Sequence, residues 1–144
     1  LSVATFKNGK INGKAYEYYE SGQLKLEENY ANGKNNGLSK SYYENGKLRS
    51  EENYINGKLN GLSKSYYENK QLQDEIPYKN DKKEGIEKSY DEKGKLIGTI
   101  TFENNQIMEE VTYKDGKIID RKAYPLGKDL ENELLKNITP WQFH

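Results

Sequence analysis

The sequence of 144 residues contains no cysteine, and its single histidine is the last residue, His144. Disulfides and thiolate metal sites are therefore excluded, and we expect no metal centre and no histidine-based triad. No apolar run approaches the ~18 residues that a membrane-spanning helix needs. Basic and acidic residues number 23 each, so the net charge is zero. Because nucleic-acid binding depends on positive charge, no nucleic-acid partner is expected.

Methionine and arginine are also scarce. The only methionine is Met108, and the chain begins at Leu1, which indicates a removed leader or a shortened sequence. Lysine outnumbers arginine 21 to 2, and asparagine and isoleucine are common, as in AT-rich bacterial genomes. We expect a bacterial protein, whose cytoplasmic or exported location stays open.

Sequence motifs of the common enzyme classes are missing. No Gly-Lys pair is followed by Ser or Thr, as a phosphate-binding loop requires. The protein-kinase motifs and the calcium-loop motif DxDxDG are absent. Adjacent carboxylates such as Glu51 and Glu52 point to opposite faces of a strand, which excludes a glycosidase pair. We expect no enzyme, no catalytic residue, no cofactor and no small-molecule substrate.

What the sequence has is an internal repeat of 24 residues. Glycines, tyrosines and leucines recur at that step, and the nonapeptide GLSKSYYEN occurs at 37–45 and again at 61–69. Such a period predicts a repeat architecture. The clearest registers are Gly13, Gly37, Gly61 and Gly85; Tyr18, Tyr42, Tyr66 and Tyr90; and Leu24, Leu48, Leu72 and Leu96.

Two turn signals in each repeat predict β-hairpins. Asn-Gly pairs, such as Asn32-Gly33 and Asn45-Gly46, favour tight turns because both residues tolerate positive φ. The segments between turns are too short for helices. We predict eleven antiparallel strands in meander order, ending near Tyr124. Every segment between turns has an odd number of residues, so its first and last residues direct their backbone hydrogen-bonding groups to the same neighbouring strand. Tight turns at both ends would need those groups to face opposite neighbours. We therefore place wider turns at 32–37 and 56–61.

Alternation along the strands predicts two different faces. Tyr43, Leu48, Tyr54 and Leu59 would lie on an inner side, where Gly and Ser make room, and Lys and Glu would form cross-strand pairs on the other. The tyrosine rows have three interpretations: the core of a thin sheet, a protein-binding strip, or a surface that stacks on sugars or choline. As candidate partner-binding residues we choose Tyr18, Tyr42, Arg49, Tyr66 and Tyr90, because Tyr and Arg are enriched at interfaces.

The pattern changes after Tyr124. Pro125 and Gly127 break the strand, and the segment 128–137 places Leu130 and Leu134 on one helical stripe. We predict two units, a repeat array over 1–124 and a helical cap over 125–144 in which Trp141 and Phe143 help to cover the last edge.

The pattern Y-x-N-G-K-x-x-G-x-x-x-x-Y-Y-x-N-G-x-L resembles the MORN repeat, and most closely its bacterial variant, as in antitoxins of the YwqK type. Tyr30, Gly33 and Gly37 carry the match in one copy, and Tyr54, Gly57 and Gly61 in the next. Lys70 and Asp81 depart from it where a turn glycine is lost. The resemblance implies an elongated single-layer sheet and a scaffold that contacts proteins or membranes. Plant phosphatidylinositol phosphate kinases also carry MORN repeats, but this sequence does not support a lipid-kinase name.

The expected protein is therefore an all-β repeat array that acts as a non-enzymatic binding module. A protein partner is the leading expectation, with an antitoxin or immunity role as its concrete form. The alternative is a binder of cell-envelope glycans or phospholipids.

Overall fold

The computed structural model describes residues 1–124, which form a single antiparallel sheet without a helix. The predicted meander is confirmed: eleven strands follow one another in chain order from one edge of the sheet to the other, and three two-residue strands extend three of the hairpins. The predicted helical cap over 125–144 lies outside the described residues. The strands are β1 Ser2–Lys7, β2 Lys10–Tyr18, β3 Leu24–Ala31, β4 Lys34–Asn35, β5 Gly37–Tyr42, β6 Leu48–Ile55, β7 Lys58–Leu59, β8 Gly61–Tyr66, β9 Leu72–Lys79, β10 Lys82–Lys83, β11 Gly85–Tyr90, β12 Leu96–Glu103, β13 Gln106–Lys114 and β14 Lys117–Ala123.

Up to Glu103 the two kinds of turn lie at opposite ends of the strands; the tight turn at Asp115-Gly116 lies at the same end as the wide loops. On one edge the turns are tight, since Ala31 pairs with Lys34 and both Asn32 and Gly33 have positive φ. On the other edge the loops are wider: the amide of Tyr43 donates to the carbonyl of Lys47, and only Gly46 has positive φ. This is a three-residue loop with glycine in the left-handed region. The predicted wide turns at 32–37 and 56–61 are therefore wrong, because the wide loops occupy the opposite edge.

Bulges and short breaks absorb the odd segment lengths. The register shifts by one residue between Ser41 and Tyr42, so that Leu48 lies opposite Tyr42. The same shift recurs at Tyr18, Tyr66 and Tyr90. The shift places Leu48 and Tyr54 on opposite faces of the sheet, so the predicted inner side that contained both is wrong.

The sheet is one layer thick and has little closed core. Among the described residues only Phe102 and Val111, at 8% and 5% exposure, are buried hydrophobic side chains, and no side chain is fully buried. Ser39 is buried at 7% exposure on the face that also carries Tyr54. Tyrosine rings and long polar side chains, half exposed, therefore take the place of a conventional aliphatic core.

Candidate functional site

One face of the sheet repeats the same three side chains on every second long strand. The strands β5, β8 and β11 have the sequences GLSKSY, GLSKSY and GIEKSY, in which the second, fourth and sixth residues share a face. We call this the repeat face. Its members form an aliphatic row, a lysine row and a tyrosine row across the strands: Leu38, Leu62 and Ile86; Lys40, Lys64 and Lys88; Tyr42, Tyr66 and Tyr90.

The lysine row is continued by glutamates of the intervening strands. Lys40 lies between Glu27 and Glu51, and Lys64 lies between Glu51 and Glu75. The ammonium of Lys40 is 3.8 Å from the carboxylate of Glu51. The expected cross-strand charge pairs are thus present, and their alternating signs leave no net positive field on this face.

The aliphatic row is exposed to solvent. Leu38, Leu62 and Ile86 are 41%, 49% and 51% exposed and stand opposite Asn53, Pro77 and Thr101. One long strand lies between successive members, so the row has a period of two interstrand spacings, about 10 Å. The 24-residue spacing of these positions could have revealed the row in the sequence, but they were not among the predicted site residues.

The predicted tyrosines lie along one line, where the long strands end at the wide loops. Tyr18, Tyr42, Tyr66 and Tyr90 are half-buried and stand opposite the repeat leucines Leu24, Leu48, Leu72 and Leu96. The hydroxyl of Tyr66 donates to Glu51 at 3.3 Å. Burial, aided by Glu51, raises the pKa of Tyr66. These side chains therefore contribute to packing and also present an edge to solvent.

A second tyrosine series joins each repeat to the next. The hydroxyls of Tyr19, Tyr43 and Tyr67 donate to the backbone carbonyls of Tyr42, Tyr66 and Tyr90, at 2.6, 2.6 and 2.8 Å. We call this series the phenol ladder. It fixes the backbone beneath the tyrosine row from one repeat to the next. The adjacent tyrosine pairs in the sequence could have indicated this ladder, but only the first tyrosine of each pair was predicted as a site residue.

Arg49 is the extra residue of the bulge and lies beside the phenol ladder. Its guanidinium carbon is 5.8 Å from the centre of the Tyr43 ring. The side chain is exposed, so it lies at the rim of the tyrosine row. In the first repeat Lys25 makes the same contact with Tyr19, at 5.8 Å.

The opposite face carries paired tyrosines and carboxylates. Tyr30 donates to Glu28 at 2.9 Å, and Tyr54 donates to Glu52 at 2.8 Å. Burial raises the pKa of Tyr30 and of Tyr54 above the ordinary range, and the hydrogen-bonded carboxylate adds to each shift. Glu28 and Glu52 occupy equivalent positions in successive repeats, and each accepts a hydrogen bond from a protonated tyrosine. We therefore assign both carboxylates a structural role.

Within residues 1–124 no group of three or more metal-ligating side chains comes together. No helix in that range is long and apolar enough to cross a membrane. The residues that the structure describes therefore supply no cluster of the kind that metal chemistry requires.

The family model described as "MORN repeat variant" matches four tandem segments, residues 11–32, 35–56, 59–80 and 83–104. No curated protein sequence matches the chain. Among solved structures, the chain is similar to one in a "GtfA/B complex bound to UDP and GlcNAc", with 14% identity and a TM-score of 0.33. That match covers 93% of this chain and 27% of the other.

Proposed function

Because the chain belongs to the MORN repeat variant family, we propose that it is a non-enzymatic binding module that holds a protein partner on its repeat face. The proposal depends chiefly on the exposed aliphatic row, since Leu38, Leu62 and Ile86 place apolar side chains in solvent at a regular period. Exposed apolar groups that form a pattern, rather than scattered singly, are typical of interaction surfaces.

The rows beside it suit a protein surface. Tyrosine and arginine are enriched at protein interfaces. The predicted Tyr42, Tyr66 and Tyr90 end the strands that carry the aliphatic row, whereas Tyr18 ends β2 and Arg49 lies on β6. The phenol ladder fixes the backbone before binding, which lowers the entropy that association would cost. An extended partner that repeats an apolar side chain at about 10 Å would meet each repeat in the same way.

An antitoxin or immunity protein is the concrete form that we propose, on the basis of the resemblance to the bacterial repeat variant. A rigid, neutral surface of this kind can cover a toxin without chemistry of its own. A gene for a toxin beside the gene for this chain would support this form. The alternative, a binder of envelope glycans or phospholipids, gains nothing from the alternating Lys and Glu row, which lacks a positive field for anionic lipid.

The test is a pull-down from native cells, followed by affinity measurement with the partner recovered. Leu62→Glu places a charge in the centre of the aliphatic row and should weaken binding by at least tenfold, about 1.4 kcal/mol. The matched control is Ile119→Glu, which changes an exposed aliphatic residue (60%) on β14, away from the row. Equal affinities for the two variants would contradict the proposed surface.

A further inference from the structure

The charged row of the repeat face alternates in sign across six neighbouring strands. Lysines stand on β5, β8 and β11, and glutamates stand on β3, β6 and β9, which alternate with them in the sheet. In order from β3 to β11 the row is Glu27, Lys40, Glu51, Lys64, Glu75 and Lys88. The row therefore begins with a negative charge and ends with a positive one.

A row with this order of charges is complementary to itself. Consider a second copy related to the first by a two-fold axis that runs along the strands between β6 and β8. The two repeat faces then meet, and the order of the strands in one copy is the reverse of that in the other. The facing residues of the two copies are Glu51 with Lys64, Lys40 with Glu75, and Glu27 with Lys88. Every pair joins opposite charges, and each pair occurs twice, as in any two-fold contact between identical chains.

The rows on either side of the charges are complementary about the same axis. In the tyrosine row, tyrosines alternate with the repeat leucines, so that Tyr66 faces Leu48 of the other copy. In the aliphatic row, each exposed side chain faces a residue of an intervening strand, as Leu62 faces Asn53. Large side chains thus meet smaller ones throughout, which allows the two faces to interdigitate as in a β-sandwich, with the sheets about 10 Å apart.

Several charges of the row have no ion-pair partner within the part of the chain that the structure describes. Lys40 lies 3.8 Å from Glu51, but Lys64, Glu75 and Lys88 make no ion pair with any residue of 1–124. A strongly acidic or basic partner would be repelled by half of the row, whereas a second copy about this axis is repelled by none of it. The alternation of charge therefore favours the same chain over a partner of one sign.

The area of the face is sufficient for a dimer. Six strands at about 4.8 Å, and six residues along each strand at about 3.3 Å, give a face of roughly 30 by 20 Å. Two copies would cover roughly 1,200 Å² in total, which is the lower end of the range for specific interfaces. An interface of this size predicts a dimer that dissociates on dilution.

We propose that the repeat face of the free protein is covered by a second copy of this chain, in a two-fold dimer whose axis passes between β6 and β8. The inference rests on the proposed function, because it takes the repeat face as the binding surface. It adds a means of regulation: a different partner has to displace the second copy, so that partner binding competes with self-association.

Two charge swaps test the position of the axis. The first, Glu51→Lys with Lys64→Glu, exchanges charges that face each other across the axis, so opposite charges still meet in the dimer. The second, Glu51→Lys with Lys40→Glu, brings like charges together, because residue 51 then faces Lys64 and residue 40 faces Glu75. Both swaps keep the net charge, and each creates two like-charged neighbours within the row of one chain. The two variants are therefore matched in their effect on the monomer.

Sedimentation velocity of the full chain over a range of concentrations measures the dimer. We expect the unaltered protein to pass from monomer to dimer as its concentration rises. The first swap should keep the dissociation constant of the unaltered protein, and the second should raise it by about tenfold or more, because like charges across an interface are costly. Urea unfolding checks that the two variants are equally stable.

Equal dissociation constants for the two swaps would overturn the proposed axis, and so would a dimer that only the first swap weakens. A dimer that Leu62→Glu weakens no more than the control Ile119→Glu would lie on another surface and would also overturn the inference. A chain that stays monomeric at every concentration would overturn the self-association alone. The proposed function fails separately, when a partner recovered from cells binds Leu62→Glu and Ile119→Glu with equal affinity.

Discussion

The repeat glycines offer a direct test of how the 24-residue unit is built. Gly61 has φ +93°, and a Cβ added there would meet no atom within 4 Å. The cost of Gly61→Ala is therefore confined to the backbone. A left-handed conformation costs an L-residue roughly 1–2 kcal/mol, whereas the reduced entropy of the unfolded chain returns about 0.4–1 kcal/mol. We expect a net loss of about 1 kcal/mol in the free energy of unfolding.

Two other glycines make the comparison quantitative. Gly85 has φ +111°, and its added Cβ would lie 3.3 Å from Cγ of Pro77, so Gly85→Ala should cost more than Gly61→Ala. Gly98 has no left-handed φ, and its added Cβ would lie at an ordinary 3.6 Å from the carbonyl of Val111. Because Gly98→Ala carries no backbone strain, it should be neutral or slightly stabilising.

Urea unfolding of the three variants measures these differences, because a shift of the midpoint at unchanged slope m reports a change in the free energy of unfolding. A loss of 1 kcal/mol corresponds to a fall of about 2–8 °C in melting temperature for a chain of this size. The expected order of loss is Gly85, then Gly61, then Gly98. Equal losses at Gly61 and Gly98 would refute the assignment of the cost to positive φ. The comparison also separates strain from crowding, because a Cβ added at Gly61 meets no atom within 4 Å whereas one added at Gly85 meets Pro77.

Three other variants test the tyrosines. The pKa of Tyr54 is higher in the folded protein than the value of about 10 in the unfolded chain. Its contribution to the free energy of unfolding is therefore complete below about pH 10 and is lost as the pH rises further. In urea unfolding, Tyr54→Phe should lose less stability than the unaltered protein between neutral and alkaline pH. Tyr67→Phe removes one bond of the phenol ladder and should lower the free energy of unfolding by about 1 kcal/mol, with hydrogen exchange increasing first around Tyr90. Tyr42→Ala with Arg49→Ala should weaken partner binding by more than ~2 kcal/mol; a large fall in melting temperature with unchanged affinity would instead assign Tyr42 to packing.

The strand order could be predicted from the sequence because dipeptides that favour turns, such as Asn-Gly, mark where each strand ends. Asn32-Gly33 and Asn56-Gly57 have positive φ at both residues and form tight turns, which the Asn-Gly signal favours, although the wider turns that we predicted at these two places are wrong. Which turns are wide could not be read in the same way. At Asn45-Gly46 the same dipeptide forms a wider loop, because the strands on that edge are bulged and the loop absorbs the extra residue. The type of a turn therefore depends on the pairing of its strands as well as on its two central residues.

The candidate site was predictable in its tyrosine row and not in its neighbours. Alternation within β5 places Tyr42 and Lys40 on one face, and the structure agrees. The position of Arg49 could not be read from alternation, because the bulge shifts the register and places this side chain over the ring of Tyr43. The exposure of Leu62 was also beyond the sequence, since a leucine in a repeat is expected to pack, and only a sheet one layer thick leaves it in solvent.

The phenol ladder links similar repeats to one another, and the array of linked repeats ends where the ladder tyrosine is replaced by Asp91. Each repeat contributes a hydroxyl to the backbone of the next, so a repeat is completed by its predecessor. In arrays of this kind, stability is approximately the sum of the repeat terms and the nearest-neighbour terms. Replacing one tyrosine by Asp91 removes a neighbour term at a single junction and leaves the β11–β12 ladder itself intact. The carboxylate of Asp91 instead accepts from the amides of Lys93 and Lys95 in its own loop, so this junction differs from the three before it by one residue.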